Sequence, residues 1–247
     1  MILENIVPRR LLVAAPLTFG AAAQSTVMVD IEDITARGRQ HEHLLQWLDE
    51  NEHRRWSAFR LDKRQNEWLA GRLCAKMALA GLLEREVGGN LKTLGIDNRD
   101  DGRPYVISER RHDMKAHISI SHSGQRAAAT ASWNRCGVDV QHCTERLLKV
   151  RERFCFEDEL RLMQQCRYDG DADIDLLNLL WAAKEAIRKA YSYRYVPGFL
   201  SLTLDQVDRH RQCYIFSFTH EQLRFTTLGC RHGDYGLALC FLLPDTP

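Results

Sequence analysis

The run WAAKEAIRKA at 181–190 holds four alanines in ten residues and neither glycine nor proline, so helix is its lowest-cost local conformation. On that helix Trp181, Glu185 and Lys189 stand four apart and share one face, while Ala183, Ala186, Ile187 and Ala190 fall on another. A Glu–Lys pair at this spacing stabilises an exposed helix by about 0.2–0.5 kcal/mol, and alone it signals nothing further. Its meaning depends on what else the chain carries.

The chain has 247 residues, 27% charged and 45% hydrophobic, enough to bury one large core or two smaller ones. A net charge of +1 excludes nucleic acid or a membrane surface as a partner recruited by overall charge; any anion site must be local. The eight cysteines form no CxxC and no Cys/His set at zinc spacing, which reads as scattered thiols in a reducing, cytoplasmic setting. No run reaches the ~20 apolar residues of a membrane helix. Arg9 and Arg10 followed by LLVAAPLTFGAAAQS imitate a signal peptide, but Pro16 and Thr18 break the apolar run. Residues 1–26 are therefore expected to form a poorly packed leader.

Along the chain, VMVDIE at 27–32 alternates as a half-exposed strand, and 41–59 suggests an interrupted amphipathic helix. A second helix is expected over 62–83, buried through Trp68, Leu69, Leu73, Met77, Leu79 and Leu83, with Arg64, Arg72 and Lys76 on a solvated basic face. LKTLGID and DDGRPYVI read as short strands around a turn. HISISHSG, 117–124, places Ile118 and Ile120 on one face and Ser119 and Ser121 on the other, and a Ser-His-Ser cluster at a strand end can cradle phosphate. RAAATASW follows as a strand of small side chains. In CGVDV, 136–140, Val138 and Val140 face the core while Gly137, Asp139 and Gln141 share the opposite, open face. Residues 144–165 form a charged amphipathic helix broken near 154–156, and after Pro197-Gly198 four short strands follow. Both halves thus read as helices plus a small sheet.

The ordered set GRP (102–104), SISHSG (119–124), GVDV (137–140), WAAKEAIRKA (181–190) and GLALC (236–240) resembles the 4′-phosphopantetheinyl transferase superfamily, and within it the single-chain surfactin-type branch. The resemblance implies an α+β fold of two similar α/β subdomains, 27–133 and 134–247, related by a pseudo-two-fold axis, with coenzyme A in the cleft of a monomer. It implies transfer of phosphopantetheine from coenzyme A to a serine of an apo acyl or peptidyl carrier protein, releasing adenosine 3′,5′-bisphosphate. It makes Asp139 and Glu185 ligands of Mg²⁺ (or Mn²⁺), with Glu185 as proton acceptor, Lys189 over the pyrophosphate, and Ser121 and His122 on phosphate oxygens. Arg55 falls where a cation for the 3′-phosphate is expected, Arg72 at another basic position, and Arg103 and Pro104 flank the adenine. One departure stands out: Gln141 replaces an acid common two residues after the strand Asp, so the third metal position is neutral. Arg146, Lys149, Arg151 and Arg153 are candidates for steering an acidic carrier. The competing reading is a catalytically silent protein of the same fold that binds coenzyme A or a carrier; retention of Asp139, Glu185 and Lys189 together favours the enzyme.

Overall fold

The computed structural model describes residues 12–14, 24–32, 44–84, 91–110, 113–191 and 196–242. It is α+β and divides into two compact units, Met1–Asn134 and Arg135–Pro247.

In the first unit, strands β1 (Leu12–Ala14), β2 (Gln24–Asp30), β5 (His117–Ser123) and β6 (Arg126–Ser132) form an antiparallel sheet in the order β1-β2-β6-β5. Two stretches inside the expected leader, 12–14 and 24–26, therefore belong to this sheet, because Leu12 to Ala14 pair with Met28 to Thr26. Strands β3 (Gly95–Asn98) and β4 (Pro104–Ile107) make a separate hairpin. Helix α1 (Glu50–Ser57) precedes the long helix α2 (Asp62–Leu82), whose Leu69, Leu73, Met77 and Leu79 are buried with Val27 and Val29. The alanines of β6 let this helix come close: Ala127, Ala128, Ala129 and Ala131 are fully buried. Of the face expected to be solvated and basic, Arg64 is exposed but the rest is not. Arg72 and Lys76 are both buried, because each finds partners outside its own helix.

In the second unit, β7 (Cys136–His142), β8 (Thr203–His210), β9 (Cys213–His220), β10 (Leu223–His232) and β11 (Tyr235–Phe241) form one antiparallel sheet ordered β7-β11-β10-β9-β8. Helix α3 (Arg146–Val150), a 3₁₀ turn (Arg151–Arg153) and α4 (Glu157–Gln165) lead to α5 (Asp173–Tyr191), which packs on β7 and β11. The break foreseen near 154–156 falls between that turn and α4. The face of β7 bearing Gly137 and Asp139 is not open as expected: α5 covers it. A Cβ on Gly137 would collide with the carbonyl oxygen of Ala186, so glycine is required for this approach.

The two units repeat one buried polar node. In the first, Glu52 accepts from the backbone N–H of Asp49 at 2.9 Å and of Ile96 at 3.1 Å, and pairs with Lys76 at 2.7 Å. In the second, Glu159 accepts from Phe156 N–H at 2.9 Å and Leu204 N–H at 2.9 Å, and pairs with Lys184 at 2.8 Å. Each Glu sits at the third position of a short helix, each Lys lies on the long helix, and each also reaches the strand that follows. From this match, Glu185 after Lys184 corresponds to Met77 after Lys76, and Lys189 corresponds to Gly81. On β2, Ser25 lies against Gly81, and Val27 and Val29 are buried in the core with α2.

Cys213 and Cys230 are paired as a disulfide across β9 and β10, where they are register partners with Cα atoms 4.4 Å apart. This corrects the expectation of eight scattered thiols. Cys74, Cys136, Cys155 and Cys240 are buried thiols, as expected of small apolar side chains, and burial pushes Cys155 up to about 11. No described helix is long and apolar enough to cross a membrane.

Candidate active site

Strand β7 and helix α5 bring Asp139, Glu185 and Lys189 together. Lys189 Nζ donates to Asp139 Oδ1 at 2.7 Å and to the Val138 carbonyl at 2.9 Å, which ties the helix to the strand at the acid. The neighbouring Arg188 Nη1 donates to Glu185 Oε1 at 3.0 Å. Consecutive cations of α5 thus divide between two acids. Burial pushes the Glu185 carboxyl above its ordinary range; Arg188 and Lys189 oppose that rise and Asp139 adds to it.

Gln141, two residues on, lies on the same strand face as Asp139, and its backbone carbonyl accepts from Asn178 Nδ2 at 3.0 Å. Among the described residues no cluster of three or more His, Cys, Asp or Glu side chains gathers. The donor set is therefore two carboxylates with a neutral amide beside them. That set fits Mg²⁺, a hard cation that takes one or two protein carboxylates and keeps other positions for waters and phosphate oxygens. It does not fit zinc, for which Cys or His ligands are the rule in structural sites. The upward push on Glu185 is what a cation between the acids would relieve.

Within the second unit opens a cavity of about 440 Å³ lined by Gln141, Leu147, Val150, Trp181 and Phe199, with Arg146 and Arg153 also in its wall. Trp181 stacks on Phe199 with centroids 4.5 Å apart and meets Phe154 edge-on at 5.1 Å.

The remaining candidates lie in the first unit. Arg55 is half-exposed and paired with Asp97 at 3.0 Å. Arg72 is buried under Trp68, its guanidinium 4.6 Å from that ring, and donates through Nη2 to Asn98 Oδ1 at 3.1 Å. Its Nη1 is buried with no hydrogen-bond partner among the described residues, and burial pushes the guanidinium down to about 10. An anion at this position would satisfy both conditions. Asn98 also borders an open depression of about 580 Å³ lined by Arg99, Asp101, Arg103 and Tyr105, at the turn before Pro104. There Arg103 is held by Asp101, Nε to Oδ2 at 2.8 Å. Ser121 and His122 are consecutive on β5 and so present to opposite faces of the sheet; His122 lies on the α2 side, its Nδ1 4.0 Å from Glu67. The structure does not bring these two side chains together.

Two residues of the site had no place in the sequence reading. Arg188 was signalled only by its i,i+3 spacing from Glu185. Phe199 had no signal at all, since its contact with Trp181 depends on where the chain returns after α5.

A profile described as the 4′-phosphopantetheinyl transferase superfamily matches residues 135–240, a span that contains Asp139, Gln141, Glu185 and Lys189. A holo-[acyl-carrier-protein] synthase of Anoxybacillus flavithermus is 38% identical over 93 residues, 37% of this chain and 76% of that protein. The enterobactin synthase component D of Salmonella austin is 33% identical over 181 residues, 69% of this chain and 67% of that protein, a span that must reach into both units. Among solved structures, a holo-(acyl-carrier-protein) synthase from Bacillus anthracis in complex with CoA (3′,5′-ADP) matches at 24% identity, covering 44% of this chain and 92% of that one with a TM-score of 0.39. With two curated relatives above 30% identity matched over two thirds or more of their length, this chain belongs to the 4′-phosphopantetheinyl transferase superfamily.

Proposed function

We propose that this protein transfers 4′-phosphopantetheine from coenzyme A to a serine hydroxyl of an apo acyl or peptidyl carrier protein, releasing adenosine 3′,5′-bisphosphate, in the cytoplasm and as a monomer. The observation that carries this reading is Asp139 of β7 bonded to Lys189 of α5, one helical turn from Glu185 on the same helix. Attack on a pyrophosphate phosphorus needs its charge neutralised, the nucleophile positioned and the leaving phosphate stabilised. Asp139 and Glu185, with Gln141 beside them, would hold Mg²⁺, which when bound supplies positive charge against the pyrophosphate oxygens. Glu185 accepts the proton of the carrier serine. Lys189 stabilises the charge that develops on the departing phosphate. The cavity behind Gln141, aromatic and aliphatic with an arginine rim, suits the pantetheine arm, which is an apolar chain interrupted by amides.

For the nucleotide end, Arg72 with its unsatisfied Nη1 is the better-supported anion ligand, and Arg55 stands near it through Asp97. Arg55→Ala is expected to weaken coenzyme A much more than 3′-dephospho-coenzyme A in a binding titration. A charge-assisted hydrogen bond to phosphate contributes on the order of 1.5–3 kcal/mol, so the selective loss is measurable. Equal weakening of both ligands returns Arg55 to a surface ion pair with Asp97.

The carrier is expected to dock on α3 and the turn after it. Arg146, Lys149 and Arg153 are exposed there, beside the large apolar side chains Leu148 and Phe156. An acidic partner would be steered by the arginines and anchored by the apolar pair. Arg146→Glu with Lys149→Glu should raise the KM for the carrier several-fold at low salt. Raising ionic strength should weaken the wild type, because the Debye length is about 10 Å at 0.1 M. An apparent carrier affinity indifferent to both changes places docking elsewhere.

Intact mass of a purified apo carrier protein after incubation with coenzyme A and Mg²⁺ tests the activity, with an EDTA-treated sample as the second arm. A mass increase by phosphopantetheine that EDTA abolishes supports the whole reading. An increase that survives excess EDTA overturns the metal. Binding of coenzyme A without any mass increase leaves the silent binding protein as the correct account.

A further inference from the structure

Among the described residues, Arg188 is a cation at Glu185 to which the transfer chemistry gives no task. Its guanidinium makes three contacts at once. Nη1 donates to Glu185 Oε1 at 3.0 Å, Nε donates to the carbonyl of Pro197 at 3.0 Å, and the plane lies 4.4 Å from the centroid of the Phe199 ring. Phe199 in turn stacks on Trp181, and both rings wall the cavity that also borders Gln141.

An exposed i,i+3 ion pair with nothing else to hold it contributes little, since both side chains must be ordered to make it. Here the ordering is done by other groups. The backbone carbonyl of Pro197 takes one edge of the guanidinium and the Phe199 ring takes its face, so the fork is preset in front of Glu185. That commits Oε1 of the acid to Arg188 and fixes the direction in which Oε2 is presented. The same arrangement makes the carboxylate geometry depend on the segment Pro197–Phe199, which begins twelve residues downstream of Glu185 in sequence. Lys189 does the corresponding service for Asp139, and with Gln141 neutral the two acids and two cations balance in charge.

We propose that Arg188 is a positioning residue for Glu185, fixing the rotamer of the acid and coupling it to the aromatic wall of the cavity. This rests on the transfer reading above. A misplacement of about 1 Å at a reacting group can cost on the order of 10²-fold in rate, so the effect should appear in kcat.

The test uses the full-length protein with coenzyme A, Mg²⁺ and an apo carrier. Arg188→Gln is expected to lower kcat by about 10- to 100-fold while KM for coenzyme A moves by less than about threefold. Arg188→Lys keeps a cation near Glu185 but loses the planar fork, and should recover part of the loss; Phe199→Leu should fall between wild type and Arg188→Gln. Because Arg188 acts through Glu185, adding Arg188→Gln to Glu185→Gln should slow the residual reaction no further. A readout independent of turnover is the Trp181 emission, taken as the difference from Trp181→Phe. It should respond to coenzyme A with Mg²⁺ in the wild type and lose that response in Arg188→Gln. Wild-type kcat in Arg188→Gln, a defect confined to a lower urea midpoint, or a full additional loss in the Glu185→Gln background would each overturn the proposal. A wild-type protein that transfers nothing overturns instead the reading on which it rests.

Discussion

Asp139→Asn and Glu185→Gln are each expected to fold as the wild type does and to lose turnover by about 10²–10⁴-fold, the range associated with a positioned acid or base. Both substitutions keep shape and remove one charge, which separates catalysis from packing. Asp139 lies under α5 and is bonded to Lys189, and an amide at that position still accepts from the ammonium, so the helix–strand contact survives. Glu185→Gln likewise leaves an oxygen for Arg188 but cannot take a proton from the carrier serine. Gln141→Ala, by contrast, should stay within about threefold of wild type, because a neutral amide oxygen can be replaced by one of the waters Mg²⁺ readily keeps. Gln141→Glu should lower the Mg²⁺ concentration needed for half-maximal rate by adding a third carboxylate. Circular dichroism would establish folding, and intact mass of the carrier would give the rates. A Gln141→Ala protein as inactive as Asp139→Asn, or a Glu185→Gln protein with near-normal turnover, would defeat this ranking.

Whatever was local in the chain could be read from its residues. The helix over 181–190 follows from composition, the alternation in 136–140 puts Asp139 and Gln141 on one face, and the alanines of 126–132 announce close packing. What failed depended on distant partners. Arg72 and Lys76 look like a solvated face because Asn98 and Glu52, which bury them, lie 26 residues after and 24 before. Asp139 seemed to stand on an open face because nothing in CGVDV announces that α5 will cover it; the only hint was Gly137, whose missing side chain is the condition for the contact. The Cys213–Cys230 pair depends on the register of β9 against β10, which no spacing rule in the sequence specifies. The strand 12–14 was hidden by apolar residues that imitate a signal peptide.

Lys184, adjacent to Glu185 and in the same motif, is expected to behave in the opposite way from the acids. It is completely buried, donating to the Phe154 carbonyl at 2.8 Å and to both oxygens of Glu159 at 2.8 and 2.9 Å. Glu159 in turn holds the first turn of α4 through Phe156 N–H and the start of β8 through Leu204 N–H. Burial pushes the ammonium down and the carboxylate draws it back up, so the pair persists only while both members are present. Lys184→Met removes the cation and leaves a carboxylate stranded in the core, which should cost about 3–5 kcal/mol in urea unfolding. Lys184→Met with Glu159→Leu should recover only part of that loss: no charge is left uncompensated, but the N–H groups of Phe156 and Leu204 lose their acceptor. Lys76→Met should show the same pattern in the first unit, where Glu52 would be stranded with its bonds to Asp49 and Ile96. Turnover per folded molecule should change little in Lys184→Met, because its side chain points away from Glu185 into the node beneath the helix. A Lys184→Met protein as stable as wild type but inactive would move this lysine from scaffold to chemistry. A stable double variant with normal turnover would fix it in the scaffold.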